Sequence, residues 1–155
     1  MKILVGVTGS IACYKSYDIV RELSKKGHQI RIVLTKGAEK FIKPELFKYL
    51  GAEEVYLNQD DFNLKKTMQS VLHIDLKNWA DLILIAPLSA NKLSQFAQGL
   101  CSDLLTSIFL SAFEKHKILF PAMNTQMLKN PITESNIRTL NKLPNTFIHP
   151  SFSGE

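Results

Sequence analysis

The sequence predicts an α/β domain built as a three-layer, doubly wound parallel sheet of Rossmann-like type. Strand-like and helix-like segments alternate along the chain, the pattern of a parallel sheet with helices on both faces. The strand-like runs Met1–Val7 (MKILVGV), Ile30–Leu34 (IRIVL) and Leu82–Pro87 (LILIAP) are apolar throughout. Strands covered on both faces read this way, whereas half-exposed strands alternate. Turn residues stand where the strands would pass into helices, at Thr8-Gly9-Ser10 and Thr35-Lys36-Gly37.

In chain order, Met1–Val7 is the first strand. The helix that follows places Ala12, Ile19, Val20 and Leu23 on one face, with Lys25 and Lys26 in its last turn and Gly27 as its stop. Ile30–Leu34 is the second strand. Helical stretches are expected at Ala38–Ile42 and Pro44–Leu50, and a short strand at Glu54–Leu57. Asn58–Gln69 is polar and charged and reads as a mobile loop. Val71–Trp79 carries His73 and leads into the strand Leu82–Pro87. A helix from Ser89 to Gln98 should stop at Gly99. Ser102 is the expected cap of a helix over Asp103–Glu114. Lys117–Pro121 is the next strand, helical segments follow at Asn124–Leu128 and Thr133–Leu140, and Thr146–His149 closes the sheet. In such sheets ligands bind outside the carboxyl ends of the strands. The loops after Val7, Leu34, Ala86 and Phe120 are therefore the functional candidates.

Composition narrows the function. With 155 residues, 45% hydrophobic and 21% charged, the chain can fill one core as a single domain over residues 1–155. No apolar run reaches the roughly 20 residues of a membrane span, and the apolar start lacks a cleavage pattern. The expectation is a cytoplasmic protein without membrane contact. The net charge of +5 is scattered, with no basic run and no interleaved aromatics, which argues against nucleic acid and is compatible with a phosphorylated small molecule. Cys13 and Cys101 form no C-x-x-C pair and no metal-ligand spacing. They are expected to be reduced and partly buried, and no metal is expected.

Each candidate loop has a functional and a plain reading. Gly9, Ser10 and Ile11 lie between a strand and a helix start, where free N–H groups can hold phosphate; they could equally form a tight turn and a cap. The loop is neither G-x-G-x-x-G nor a P-loop, so an ordinary nicotinamide site or a nucleotide hydrolase is not indicated. Thr35 in the second loop could face the same ligand. The small and polar residues Leu88, Ser89, Ala90 and Asn91 suit contact with a flat ring. Ser89–Lys92 also matches S-x-x-K, but its partner motifs are absent. Ala122, Met123 and Asn124 form the fourth loop, and the Asn124 amide could bind a carboxylate or cap a helix. A lone histidine is ordinarily a surface or satisfied core residue, yet near-neutral titration makes His73 the best general-base candidate here. His28 and His116 stand at strand starts, away from the ligand edge, whereas His149, near the end of the last strand, stays open as a further candidate.

Taken together, Gly9-Ser10-Ile11-Ala12-Cys13-Tyr14-Lys15, His73-Ile74-Asp75-Leu76, Ala86-Pro87-Leu88-Ser89-Ala90-Asn91, Ser102-Asp103-Leu104-Leu105-Thr106 and Pro121-Ala122-Met123-Asn124 resemble, in order, the motifs of the flavin-containing cysteine decarboxylase family. The resemblance covers nearly the whole chain. It is nearest to the branch that decarboxylates 4′-phosphopantothenoylcysteine to 4′-phosphopantetheine in coenzyme A synthesis. It implies FMN as cofactor, held by Gly9, Ser10, Ile11, Thr35, Leu88, Ser89, Ala90, Asn91 and Ala122. It further implies Asn124 and Met123 on the substrate, His73 as catalytic base with Asn124 beside it, and a homotrimer or an assembly of trimers with flavin sites between subunits.

The resemblance has one departure. In the coenzyme A branch the chain continues into a substrate flap with A-C-G and a glycine-rich, arginine-containing segment, whose cysteine donates a proton in the final reduction. This sequence stops at Ser151–Glu155, so the expectation is that the flap is missing. Neither Cys13 nor Cys101 takes an equivalent place, and an enethiol product, as in peptidyl-cysteine decarboxylases, is the corresponding alternative. A flavin prenyltransferase of the same fold carries a different glycine-serine loop and lacks the pairing of His73 with P-A-M-N. A non-catalytic flavin-binding regulatory subunit would bring a long acidic tail. Flavodoxin-like carriers are acidic.

Overall fold

The computed structural model describes residues 1–63, 65–66 and 70–150. The remainder of the expected mobile loop (Leu64, Thr67, Met68, Gln69) and the flap boundary at Ser151–Glu155 lie outside the described residues. Six strands, β1 (Lys2–Val7), β2 (Gln29–Leu34), β3 (Glu54–Leu57), β4 (Leu82–Leu88), β5 (His116–Pro121) and β6 (Thr146–Ile148), form one sheet of order β3-β2-β1-β4-β5-β6. All neighbours are parallel, and Val5 of β1 pairs with Ile32 on one side and Leu84 on the other. The chain moves outward from β1 to β3, then returns to build β4–β6 on the other flank. The switch point therefore falls between β1 and β4, where a ligand crevice is expected.

The apolar strands divide their side chains between two cores. Leu4, Val33, Ile83, Ile85 and Leu88 point to one face, under α4 (Leu72–Trp79), α5 (Ala90–Gln98), α6 (Leu104–Ser111) and α8 (Pro131–Asn141). Ile3, Val5, Val7, Ile30, Ile32, Leu34 and Ala86 point to the other, under α1 (Lys15–Lys25), α2 (Lys36–Glu39) and α3 (Glu45–Tyr49). Burial of a Leu or Ile side chain contributes about 2 kcal/mol, so two covered faces explain why these strands carry no polar alternation. The remaining short helix, α7, spans Thr125–Leu128. Among the described residues no helix is long and apolar enough to cross a membrane.

Several boundaries differ from expectation for local physical reasons. The first helix is split: Ser10 caps a 3-10 turn over Ile11–Tyr14, and only then does α1 begin. Asp103, not Ser102, caps α6, because Thr106 completes a reciprocal capping box with it. The same helix ends at Ser111 rather than Glu114. The buried Lys117 ammonium donates to the carbonyls of Ala112 at 2.7 Å and Lys115 at 2.8 Å, satisfying groups that a longer helix would have used itself. Burial lowers the pKa of Lys117. Gly99 ends α5 as expected, at φ 69°, a left-handed conformation that favours glycine. Cys13 is buried, but Cys101 is exposed.

An ion pair of Lys92 with Asp103 ties α5 to the start of α6, with both side chains largely buried. Burial alone would raise the pKa of Asp103, but hydrogen bonds from Lys92 and Thr106 outweigh it and hold the pKa below its ordinary value. Lys92→Met leaves that carboxylate buried and unpaired, and should cost about 3–5 kcal/mol in chemical denaturation at neutral pH. Because the folded pKa is lowered, the wild-type advantage is present above the unfolded carboxylate pKa. It should be lost as the pH falls through the folded value.

Candidate active site

The loops after β1, β2, β4 and β5 are stitched into one ridge along the carboxyl edge of the sheet. Between β1 and β4 the stitch is Thr8. Its hydroxyl donates to Pro87 O at 2.7 Å and accepts from Ser89 N at 2.7 Å. β4 bulges against β5 between Ile85 and Leu88, which brings Pro87 O to Thr8. The Ala86–Pro87 peptide is cis. Between β1 and β2, Thr35 N donates to Val7 O at 3.1 Å. A Cβ on Gly9 would lie only 2.8 Å from Gly37 Cα, so the two backbones touch where no side chain fits. Between β4 and β5, Ala122 N donates to Leu88 O at 2.9 Å.

The predicted residues take different places on this ridge. Gly9 is exposed, and its N–H has no acceptor among the described residues. Ser10 Oγ accepts from Ala12 N, leaving its own O–H uncommitted. Ile11 is 79% exposed and Tyr14 57%, two apolar side chains in water beside a free N–H. Thr35 is turned inward: its hydroxyl caps α2 through Ala38 N and reaches Val7 O, so only its backbone faces the edge. Leu88 is fully buried in the core. Ser89 Oγ caps α5 by accepting from Lys92 N at 3.3 Å. Ala90 is half-buried and Asn91 exposed. Ala122 and Met123 are half-buried.

Of the two readings of Asn124, the structure shows the helix cap. Its Oδ1 caps α7, accepting from Gln126 N at 2.8 Å. That bond orients the amide and leaves Nδ2 exposed and without a partner among the described residues, free to donate to an anion.

His73 is not on one of the four loops. It lies in the first turn of α4, whose amino end also faces the carboxyl edge. No hydrogen bond or ion pair joins it to the four loops among the described residues. Its partner is Asp61, with Nδ1 3.3 Å from Oδ1. The turn after β3, from which Asp61 follows, is tied to the start of α6, whose Leu104 N donates to Asn58 Oδ1 at 3.0 Å. Sequence reasoning missed Thr8 as the loop stitch and Asp61 as the histidine's partner. Thr8 was readable only as a turn residue, since its partners are 79 and 81 positions away. His28 and His116 stand at the amino ends of β2 and β5, and no cluster of metal-ligating side chains occurs among the described residues.

The model of the flavoprotein family matches residues 1–154. The chain belongs to the flavoprotein family. Within that family it is 41% identical over 156 residues to a probable phosphopantothenoylcysteine decarboxylase of Streptococcus mutans, covering 98% of this chain and 84% of that protein. A putative phosphopantothenoylcysteine decarboxylase of Dictyostelium discoideum is 40% identical, over 94% of this chain and 76% of its own length. Among solved structures, the chain superposes on a variant PPC decarboxylase complexed with pantothenoylaminoethenethiol with a TM-score of 0.82 and 35% identity, covering 96% of this chain and 81% of that one. Of the five motifs noted in the sequence, those at residues 9–15, 86–91 and 121–124 adjoin the carboxyl-edge ridge, and those at 73–76 and 102–106 lie at the starts of α4 and α6.

Proposed function

We propose that this chain is an FMN-dependent carboxy-lyase that converts 4′-phosphopantothenoylcysteine to 4′-phosphopantetheine in coenzyme A biosynthesis. The observation that carries the reading is the ridge itself. Near-full-length similarity to phosphopantothenoylcysteine decarboxylases supports it, in a chain whose four candidate loops adjoin one another along the carboxyl edge of the sheet.

The residues present fit a flavin mononucleotide. The Gly9–Gly37 contact lets a ligand approach the backbone closely, and the free Gly9 N–H with the uncommitted Ser10 O–H suits phosphate. The small side chains of Ser89 and Ala90 leave room for a ring system. Ile11, otherwise exposed, would cover its apolar surface, as Met123 and the Ala122 backbone would from the fourth loop. Leu88 and Thr35 would contribute through their backbones, and Asn91 through its exposed amide. When bound, FMN supplies a reversible two-electron sink, oxidising the cysteine CH2–SH to a thioaldehyde and returning the electrons after carbon dioxide departs. Asn124 Nδ2 grips the substrate carboxylate and orients the bond to be broken. His73 takes the proton that the cysteine moiety loses on oxidation. The thiocarbonyl then delocalises the electron pair left by the departing carboxylate.

A trimer, or an assembly of trimers, is part of this proposal. It would carry the His73 of one subunit to the ridge of another, in keeping with the lack of any bond from His73 to the four loops of its own chain among the described residues. A cytoplasmic location and a single catalytic domain complete it.

The test is to purify the protein, record its flavin absorption and incubate it with phosphopantothenoylcysteine under mass detection. Yellow protein and loss of carbon dioxide are expected, with phosphopantetheine as product. A product with two hydrogens fewer would restrict the reaction to its oxidative half. Protein with no affinity for FMN, or bound FMN without decarboxylation, would overturn the assignment.

A further inference from the structure

We infer that Asp61 is the positioning residue of His73, holding the imidazole in the Nδ1–H tautomer so that Nε2 presents its lone pair to the substrate; this rests on the decarboxylase reading above. The Asp61 side chain is 11% exposed and the His73 side chain 25%. A carboxylate this buried requires a donor. The nearby ammonium does not supply it, since Lys66 pairs with Asp60 at 2.8 Å. The side-chain donor that reaches Asp61 among the described residues is His73 Nδ1. An imidazole nitrogen facing a carboxylate must carry hydrogen, and in the neutral ring the other nitrogen is then the acceptor. His73 Nε2 has no partner among the described residues.

Both halves of the pair are independently anchored. On the loop side, Asp60 Oδ2 accepts from Leu57 N at 2.8 Å as well as from Lys66, fixing the turn from which Asp61 projects. On the helix side, Asp75 accepts from Ser70 N at 3.0 Å and from Ser70 Oγ at 3.0 Å, fixing the first turn of α4. The imidazole is thus held between two pinned backbones, as preorganisation of a proton acceptor requires. An amide in place of the Asp61 carboxylate would offer its N–H to Nδ1 and favour the opposite tautomer. Loss of an aspartate in this relationship to a histidine base costs up to about 10⁴-fold where the group is fully buried. For this partly exposed pair the expected loss is on the order of 10²-fold in kcat.

The experiment compares wild type, Asp61→Asn and Asp61→Glu as FMN-loaded holoenzymes. Long-range 1H–15N correlation of 15N-histidine protein, assigned with His73→Asn, should show the Nδ1–H tautomer in wild type and its depletion in Asp61→Asn. Turnover of phosphopantothenoylcysteine should fall about 10²-fold in kcat with KM and flavin content unchanged, and Asp61→Glu should recover part of it. An unaltered tautomer in Asp61→Asn, or kcat within twofold of wild type, would overturn the inference. Should Asp61→Asn fail to fold, an Asp61→Glu protein with the wild-type tautomer and substantial kcat supports it, and one without them overturns it. A wild-type protein that shows the tautomer but no decarboxylation would refute the decarboxylase reading and leave the pairing intact.

Discussion

His73→Asn is expected to abolish decarboxylation and leave the protein yellow. His73 belongs to neither hydrophobic core, and the one hydrogen bond of its imidazole among the described residues is to Asp61 at 3.3 Å. Losing that hydrogen bond leaves the largely buried Asp61 carboxylate without its side-chain donor and costs about 1.5–3 kcal/mol, which a folded domain of this size tolerates. The groups proposed to hold FMN lie on the loops after β1, β2, β4 and β5, none of them bonded to His73. Flavin absorption should therefore stay near wild type, with the melting temperature lowered by several degrees. A positioned general base contributes typically 10²–10⁴-fold, and asparagine cannot accept the proton, so kcat should fall by about 10³-fold or more. Stopped turnover with retained colour would separate proton transfer from cofactor binding. Retained turnover would remove His73 from the mechanism, and Asp61 with it.

How much of this site was legible in the sequence depended on whether the signal was local. The sheet was legible because its strands are covered on both faces, so Leu82–Leu88 and its neighbours read as unbroken apolar runs. The helix ends were less so. Ser102 and Asp103 are both good caps, and only Thr106, at the third helical position, selects Asp103. Nothing near Ser111 announces the end of α6, because Lys117 reaches back from β5 to make it. The four loops could be placed on one edge by the rule that parallel strands end together. Their stitching by Thr8 could not be read, since it depends on the β4 bulge. His73 stood out as the best candidate for an imidazole base, and the resemblance of its surrounding motif added to that reading. Asp61, in a stretch rich in polar and charged residues, looked like a solvated position, and its burial is set by packing across the α4 start.

Gly9→Ala should cost the protein its flavin. An added Cβ would meet Gly37 Cα at 2.8 Å and Gly37 C at 2.9 Å, and these are backbone atoms, which cannot rotate aside. Neither loop can retreat freely. The first is pinned by Ser89 N on Thr8 Oγ1 at 2.7 Å, and the second by Thr35 N on Val7 O at 3.1 Å. The two turns must therefore separate, carrying the Gly9 N–H and Ser10 away from the phosphate they would bind. Overpacking of this kind costs about 1–3 kcal/mol, which corresponds to a roughly 10- to 10²-fold weaker FMN if the strain falls on the bound state. The reverse substitution is asymmetric: a Cβ on Gly37 would lie 3.1 Å from Gly9 Cα, a contact that a shift of a few tenths of an ångström relieves. Gly37→Ala should accordingly keep most of its colour. Titration of apo protein with FMN, followed by flavin fluorescence, gives both dissociation constants, and apo melting temperatures separate general destabilisation from loss of the cradle. If Gly9→Ala binds FMN as tightly as wild type, the phosphate does not sit on the first loop. The proposed placement of the flavin on the carboxyl-edge ridge then fails, whatever the catalytic role of His73.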